Sequence, residues 1–104
     1  MSAGPHIYVF LGNDEFAIRK RVAKFDSIFS DPTSAGMNTS RLDARTVSEN
    51  ELNNAVGALP FLAAQRLVVL DAPSKKHTGL EGHKKFIAFL ENVPPSTLLV
   101  LVDV

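Results

Sequence analysis

Three short apolar runs constrain this chain more than any other feature: residues 7–11 (IYVFL), 67–70 (LVVL) and 97–102 (TLLVLV). Each is continuous rather than alternating, and each is rich in β-branched or other apolar side chains. A strand with one wet face alternates apolar and polar residues, whereas a strand covered on both faces does not. The runs therefore predict buried strands of a parallel sheet with helices on either side. A shorter, more polar run at residues 39–42 predicts a fourth strand at a sheet edge.

Helical patterns lie between these runs. Over residues 14–29, Ile18, Val22, Phe25 and Phe29 recur at helical spacing and make one apolar stripe. Arg19, Lys20, Arg21 and Lys24 fall mostly off it. A second helix is expected to start at Ser48, where Ser48-x-x-Glu51 has the form of a capping box: each side chain satisfies a free backbone N–H of the first turn. Leu52, Ala55 and Val56 form its apolar face. Thr78-x-x-Glu81 repeats the device before a third helix, whose apolar side carries Leu80, Phe86, Ile87, Phe89 and Leu90. Pro94 and Pro95 then forbid its continuation. Residues 30–38 (SDPTSAGMN) read as a surface loop. The order β-α-β-α-β-α-β builds a three-layer α/β domain around a parallel sheet through right-handed crossovers.

Composition narrows function by exclusion. The 104 residues suffice for one domain with one core, and 45% of them are hydrophobic, an ordinary globular share. Eleven basic and 11 acidic side chains give a formal net charge of +0. A free-standing nucleic-acid binder usually carries a basic excess, because phosphate contacts supply most of its affinity. DNA is therefore not expected as a direct, solitary partner. No cysteine is present, which removes disulfides and Cys-based zinc sites. No apolar run approaches the ~20 residues that span a bilayer, and the N-terminus lacks the basic region of a signal peptide. The expected setting is the cytoplasm. The chain stops at Val104 directly after an apolar strand, which leads us to expect a fragment of a longer protein.

In open α/β sheets, ligands bind beyond the carboxyl ends of the strands. The first loop there is Gly12-Asn13-Asp14-Glu15. A P-loop would read G-x-x-x-x-G-K-[ST], with glycines that turn backbone N–H groups to the phosphates and a lysine that engages them. Only the first glycine is present; Ala17, Ile18 and Arg19 stand downstream. Asp14 and Glu15 suit a helix N-terminus but would repel a nucleotide. We therefore expect a degenerate P-loop, no cofactor and no metal. Asp71 ends the third strand in a superficial Walker B match, but Ala72 replaces the usual glutamate, so Asp71 reads as a loop-capping residue. Asp103 reads the same way. His6, His77 and His83 show no metal-ligand spacing and read as surface residues. No catalytic triad or carboxylate pair emerges, so the domain is expected to have no catalytic site of its own.

Four segments carry a family resemblance. IYVFLGNDEFAIRKR resembles the opening of DNA polymerase III delta subunits, where an apolar strand enters a Gly-x-Asp-Glu-Phe turn and an amphipathic helix. TSRLDA resembles their short second strand, LPFLAAQRLVVL their Leu-Pro turn and third strand, and LENVPPSTLLVLV their proline pair and fourth strand. The resemblance implies a nucleotide-free, AAA+-like relative of the P-loop NTPase fold with strand order 1-4-3-2. Residues 1–104 would form its N-terminal part. Members are about three times longer and continue into a helical lid and a collar, through which they contact other loader subunits. The implied function is mechanical: delta binds the beta sliding clamp and opens it during DNA replication, while other subunits of the polymerase III holoenzyme hydrolyse ATP. That holoenzyme is classed as a DNA-directed DNA polymerase, a nucleotidyltransferase. DNA would be met only within the assembled complex, and the fragment would be a monomer.

By the motif match, the clamp-binding positions are Phe61 and Leu62, just after Pro60. Their expected contact is an exposed apolar pair entering a hydrophobic pocket, as in helix-in-groove recognition. Pro60 would break the second helix and let a short turn present them. Read from the residues alone, both could equally pack under the sheet edge as core. Ala63 and Ala64 replace polar residues common in the family. Lys75, Lys76, Lys84 and Lys85 read as a solvated surface that the resemblance would allow to touch clamp or DNA. A receiver-like phosphoacceptor domain is the alternative, with Asp14 and Glu15 holding Mg²⁺ and Asp71 accepting the phosphoryl group.

Overall fold

The computed structural model describes residues 6–104; residues 1–5, where the reading against a targeting segment begins, lie outside the described part. Four strands form one all-parallel sheet: β1 (Ile7–Leu11), β2 (Thr39–Asp43), β3 (Arg66–Asp71) and β4 (Thr97–Asp103). Their spatial order is β1-β4-β3-β2, the order that the resemblance implies. The register pairs Tyr8 with Val100 and Val68 with Leu99.

The helices are α1 (Glu15–Ala23), α2 (Pro32–Asn38), α3 (Glu49–Gly57) and α4 (Gly79–Glu91). They make two outer layers. Alternate residues of β3 and β4 point to opposite faces, so Val68, Leu70, Leu99 and Leu101 pack with Leu52 and Val56 of α3 and Phe86 and Phe89 of α4. Leu67, Val69, Leu98, Val100 and Val102 pack with Ile18 and Val22 of α1 and Ala35 of α2. The two central strands are thus covered on both faces, which is why their sequences do not alternate.

Four expectations change. The stripe over residues 14–29 does not form one helix: α1 ends at Ala23 and a 3₁₀ turn spans Lys24–Ile28. The Ser27 hydroxyl donates to the Lys24 carbonyl at 2.8 Å, a local bond of the kind that competes with helix continuation. Residues 32–38 are helix, not loop. Asp31 is the N-cap of α2, its carboxylate accepting from the Ser34 N–H at 2.7 Å, and Pro32 occupies the first turn, where its missing N–H costs nothing. β1 is not buried throughout. It pairs only with β4 among the described residues; Ile7 reaches the α3–α4 layer, while Val9 and Leu11 remain exposed. On α4, Leu80 and Ile87 are exposed rather than part of the packed side.

Candidate functional site

Both sequence-derived regions can be built from their local geometry, beginning with the loop after β1. Gly12 has φ +147°, a conformation that side-chain-bearing residues rarely adopt. Its N–H donates to the Asp103 carbonyl at 3.2 Å, tying the loop to the end of β4. Asp14 is the N-cap of α1, and its carboxylate accepts from the Ala17 N–H at 3.1 Å. Glu15 lies 3.5 Å from Arg19, one turn later. Asn13 is exposed. The acidic groups therefore occupy the helix start where a P-loop would offer free N–H groups.

Arg19 reaches across to β3. Its guanidinium lies 2.7 Å from Asp71, a charge contact without the angle of a directed hydrogen bond. Asp71 first, then Glu15, holds the Arg19 guanidinium above its usual range. Asp71 is thus an ion-pair partner rather than the loop cap expected of it. Asp103 does cap a loop: its carboxylate accepts from the Ser74 N–H at 2.9 Å and from the Ser74 hydroxyl at 2.8 Å.

This layout gives the receiver-like alternative no support. A receiver-type site needs the acidic pair and the phosphoacceptor on neighbouring strands at the switch point. Here β4 stands between β1 and β3. Asp14 and Glu15 are also already engaged, by a helix cap and by Arg19. Among the described residues, no three His, Asp or Glu side chains gather as a metal site.

The histidines are not all surface residues. His6 Nε2 lies 3.1 Å from the Val93 carbonyl. His77 stacks on Phe86 with ring centroids 4.4 Å apart, and its Nε2 is buried without a hydrogen-bond partner. His83 is exposed, as are Lys75, Lys84 and Lys85. Lys76 turns back and donates to the Val47 carbonyl.

The second region is the connection from α3 to β3. Ala58 leaves α3 with extended ψ, as expected of a chain approaching Pro60. The end of the helix is held from below. Thr97 Oγ1 donates to the Val56 carbonyl at 2.6 Å, and Arg66 Nε donates to the Ala55 carbonyl at 3.1 Å. Residues 61–64 then form a bend, not a helical turn. Ala63 packs into the α1–α2 layer. Phe61 and Leu62 point outward, 52% and 88% exposed, and Leu59 is 82% exposed. The bend therefore excludes the core alternative left open by the sequence. Pro60 is half-buried at its start. A shallow groove of about 210 Å³ separates Phe61 and Leu62 from Met37 and Ser34 of α2.

Sequence reasoning missed one residue here. Asn38, at the end of α2, is fully buried, and its side-chain amide bonds both backbone groups of Phe61. Its only sequence signal was indirect: Asp31-Pro32 has the form of a helix start, which would have turned residues 32–38 from loop to helix.

These features define an open, all-parallel α/β domain whose first loop is closed by its own acidic residues and whose α3–β3 bend exposes an apolar pair. A family model described as DNA polymerase III, delta subunit, matches residues 8–103, and the chain belongs to that family. Among solved structures, the Bacillus subtilis DNA clamp loader delta protein is similar, with a TM-score of 0.79 and 16% sequence identity. The match covers 95% of this chain and 31% of that one, and at this identity it speaks for the fold alone. No curated protein matches the chain.

Proposed function

We propose that the chain is the N-terminal part of the AAA+-like domain of a clamp-loader delta subunit, and that it binds and opens the beta sliding clamp without handling nucleotide or catalysing a reaction itself. Phe61 and Leu62 are the anchors in this reading, and Pro60 sets their departure from α3. The observation that carries it is their exposure: two large apolar side chains stand in water on a bend that is held at Phe61 by Asn38 and that ends at Arg66, whose N–H donates to the Ser96 carbonyl. Contiguous exposed apolar groups of this kind mark protein-contact surfaces. The nucleotide-free part of the reading is supported by Asp14, whose carboxylate takes up an N–H at the start of α1. ATP hydrolysis falls to other loader subunits, and contact with those subunits and with DNA falls to the assembled complex.

The test is a titration of an immobilised cognate sliding clamp with the chain. Phe61→Ala combined with Leu62→Ala is expected to cost about 2 kcal/mol or more of binding, roughly 30-fold in Kd, with thermal stability unchanged because neither side chain is in the core. Unaltered affinity in the double variant overturns the site.

A further inference from the structure

A buried side-chain amide must find partners, because an unpaired polar group out of water is costly. Asn38 is 0% exposed and finds three. Its Oδ1 accepts from the Phe61 N–H at 2.7 Å. Its Nδ2 donates to the Phe61 carbonyl at 2.9 Å and to the Ser34 carbonyl at 2.9 Å. Both backbone groups of one residue are thus held by one side chain. A neighbouring strand would supply the same pair of bonds, but among the described residues no strand pairs with the bend. Among the described residues, Phe61 has no backbone hydrogen-bond partner. The next residue, Leu62, sits at φ +56°, a left-handed conformation that is unfavourable for a residue with a side chain. A free bend would relax away from it.

Building on the clamp-binding reading, we propose that Asn38 is a positioning residue for the Phe61–Leu62 anchor. It does not enter the partner's pocket. It fixes the Phe61 backbone to the end of α2, so that both side chains leave the surface already ordered. A flexible bend would have to lose that freedom on binding, at a cost in affinity. The groove beside Met37 follows from the same tie, since it separates α2 from the bend that Asn38 holds.

Two measurements test the proposal. The first is amide hydrogen exchange in the wild-type chain. The Phe61 amide is expected to exchange at least about ten-fold more slowly than that of Leu62, as for a bonded against an open N–H. Equal rates overturn the pin without any variant. The second is a double-mutant cycle on clamp binding. Asn38→Ala is expected to weaken binding about ten-fold, yet to add nothing in the Phe61→Ala, Leu62→Ala background, because it acts only through those side chains. A full additional loss in that background overturns the positioning role, and so does unchanged affinity in the single variant. If the wild-type chain fails to bind the clamp at all, the functional reading falls, while the exchange rate at Phe61 still decides the pin.

Discussion

Leu62 combines two unfavourable features for a leucine, a left-handed backbone and an exposure of 88%. Single exposed leucines are common, but Leu59, Phe61 and Met37 are also exposed around it. His77 is a different kind of compromise. Its ring is stacked and its Nε2 is unpaired. Burial first, and then the neighbouring Lys76, push its pKa below the ordinary imidazole value, with Glu49 opposing. The unfolded chain therefore binds this proton more readily than the folded one. The stabilising contribution is complete above about pH 6.5, the unperturbed value, and is lost as pH falls from there through the folded pKa. Urea denaturation at pH 7.5 and pH 5.5 is expected to show a lower midpoint at the acid pH. His77→Phe, which retains an aromatic ring against Phe86, is expected to reduce that difference. A pH effect of the same size in the variant would refute the assignment.

At the level of elements, two identical sequence signals have different fates. Ser48 and Glu51 complete their capping box: Ser48 Oγ accepts from the Glu51 N–H at 3.0 Å, and Glu51 Oε1 accepts from the Ser48 N–H at 3.3 Å. Thr78 is the N-cap of α4, yet its side chain makes no cap bond. The residue after it, Gly79, has φ +72°, which takes the chain out of the helical geometry that a capping hydroxyl requires at that step. Ser48→Ala is therefore expected to destabilise the chain by about 1 kcal/mol, and Thr78→Ala by less than ~0.5 kcal/mol. Comparison of urea midpoints separates the two. Residues 30–38 show the converse: Asp31 and Pro32 carry a helix-start signal, but Gly36, Asn38 and the lack of an apolar stripe concealed α2.

The whole molecule rests on two apolar layers that share one sheet. Leu99 lies in the central strand β4, is 0% exposed and contributes to the α3–α4 layer. Leu99→Ala is expected to cost about 2–5 kcal/mol, a large part of the ~5–15 kcal/mol that holds a domain folded. In thermal denaturation this amounts to a fall in Tm of about 10 °C or more. Leu80→Ala, at a position 70% exposed, is expected to leave Tm nearly unchanged. The same sheet separates the two sites. The Gly12–Glu15 loop follows the carboxyl end of β1 and Asp71 forms that of β3, whereas Asn38 and the Phe61 bend precede the amino ends of β2 and β3. The exposed apolar pair thus lies at the opposite end of the sheet from the crevice where α/β folds bind nucleotides.

The linear sequence was enough to determine the alternation of strands and helices, the start of α3 and the acidic character of the first loop. These features depend on residue type at short spacing: apolar runs, Ser48 with Glu51, and an acidic Asp14-Glu15 pair in a loop that has Ala17 and Ile18 where a P-loop has glycine and lysine. Tertiary structure decided what depends on neighbours far along the chain. Among the described residues it placed β1 beside β4 alone and left Val9 and Leu11 exposed, joined Arg19 to Asp71, and brought Asn38 to Phe61 across 23 residues. Whether Phe61 and Leu62 packed as core or stood in water belonged to this second group. Their hydrophobicity is the same either way, and only the bend set between α3, Asn38 and β3 turns them outward.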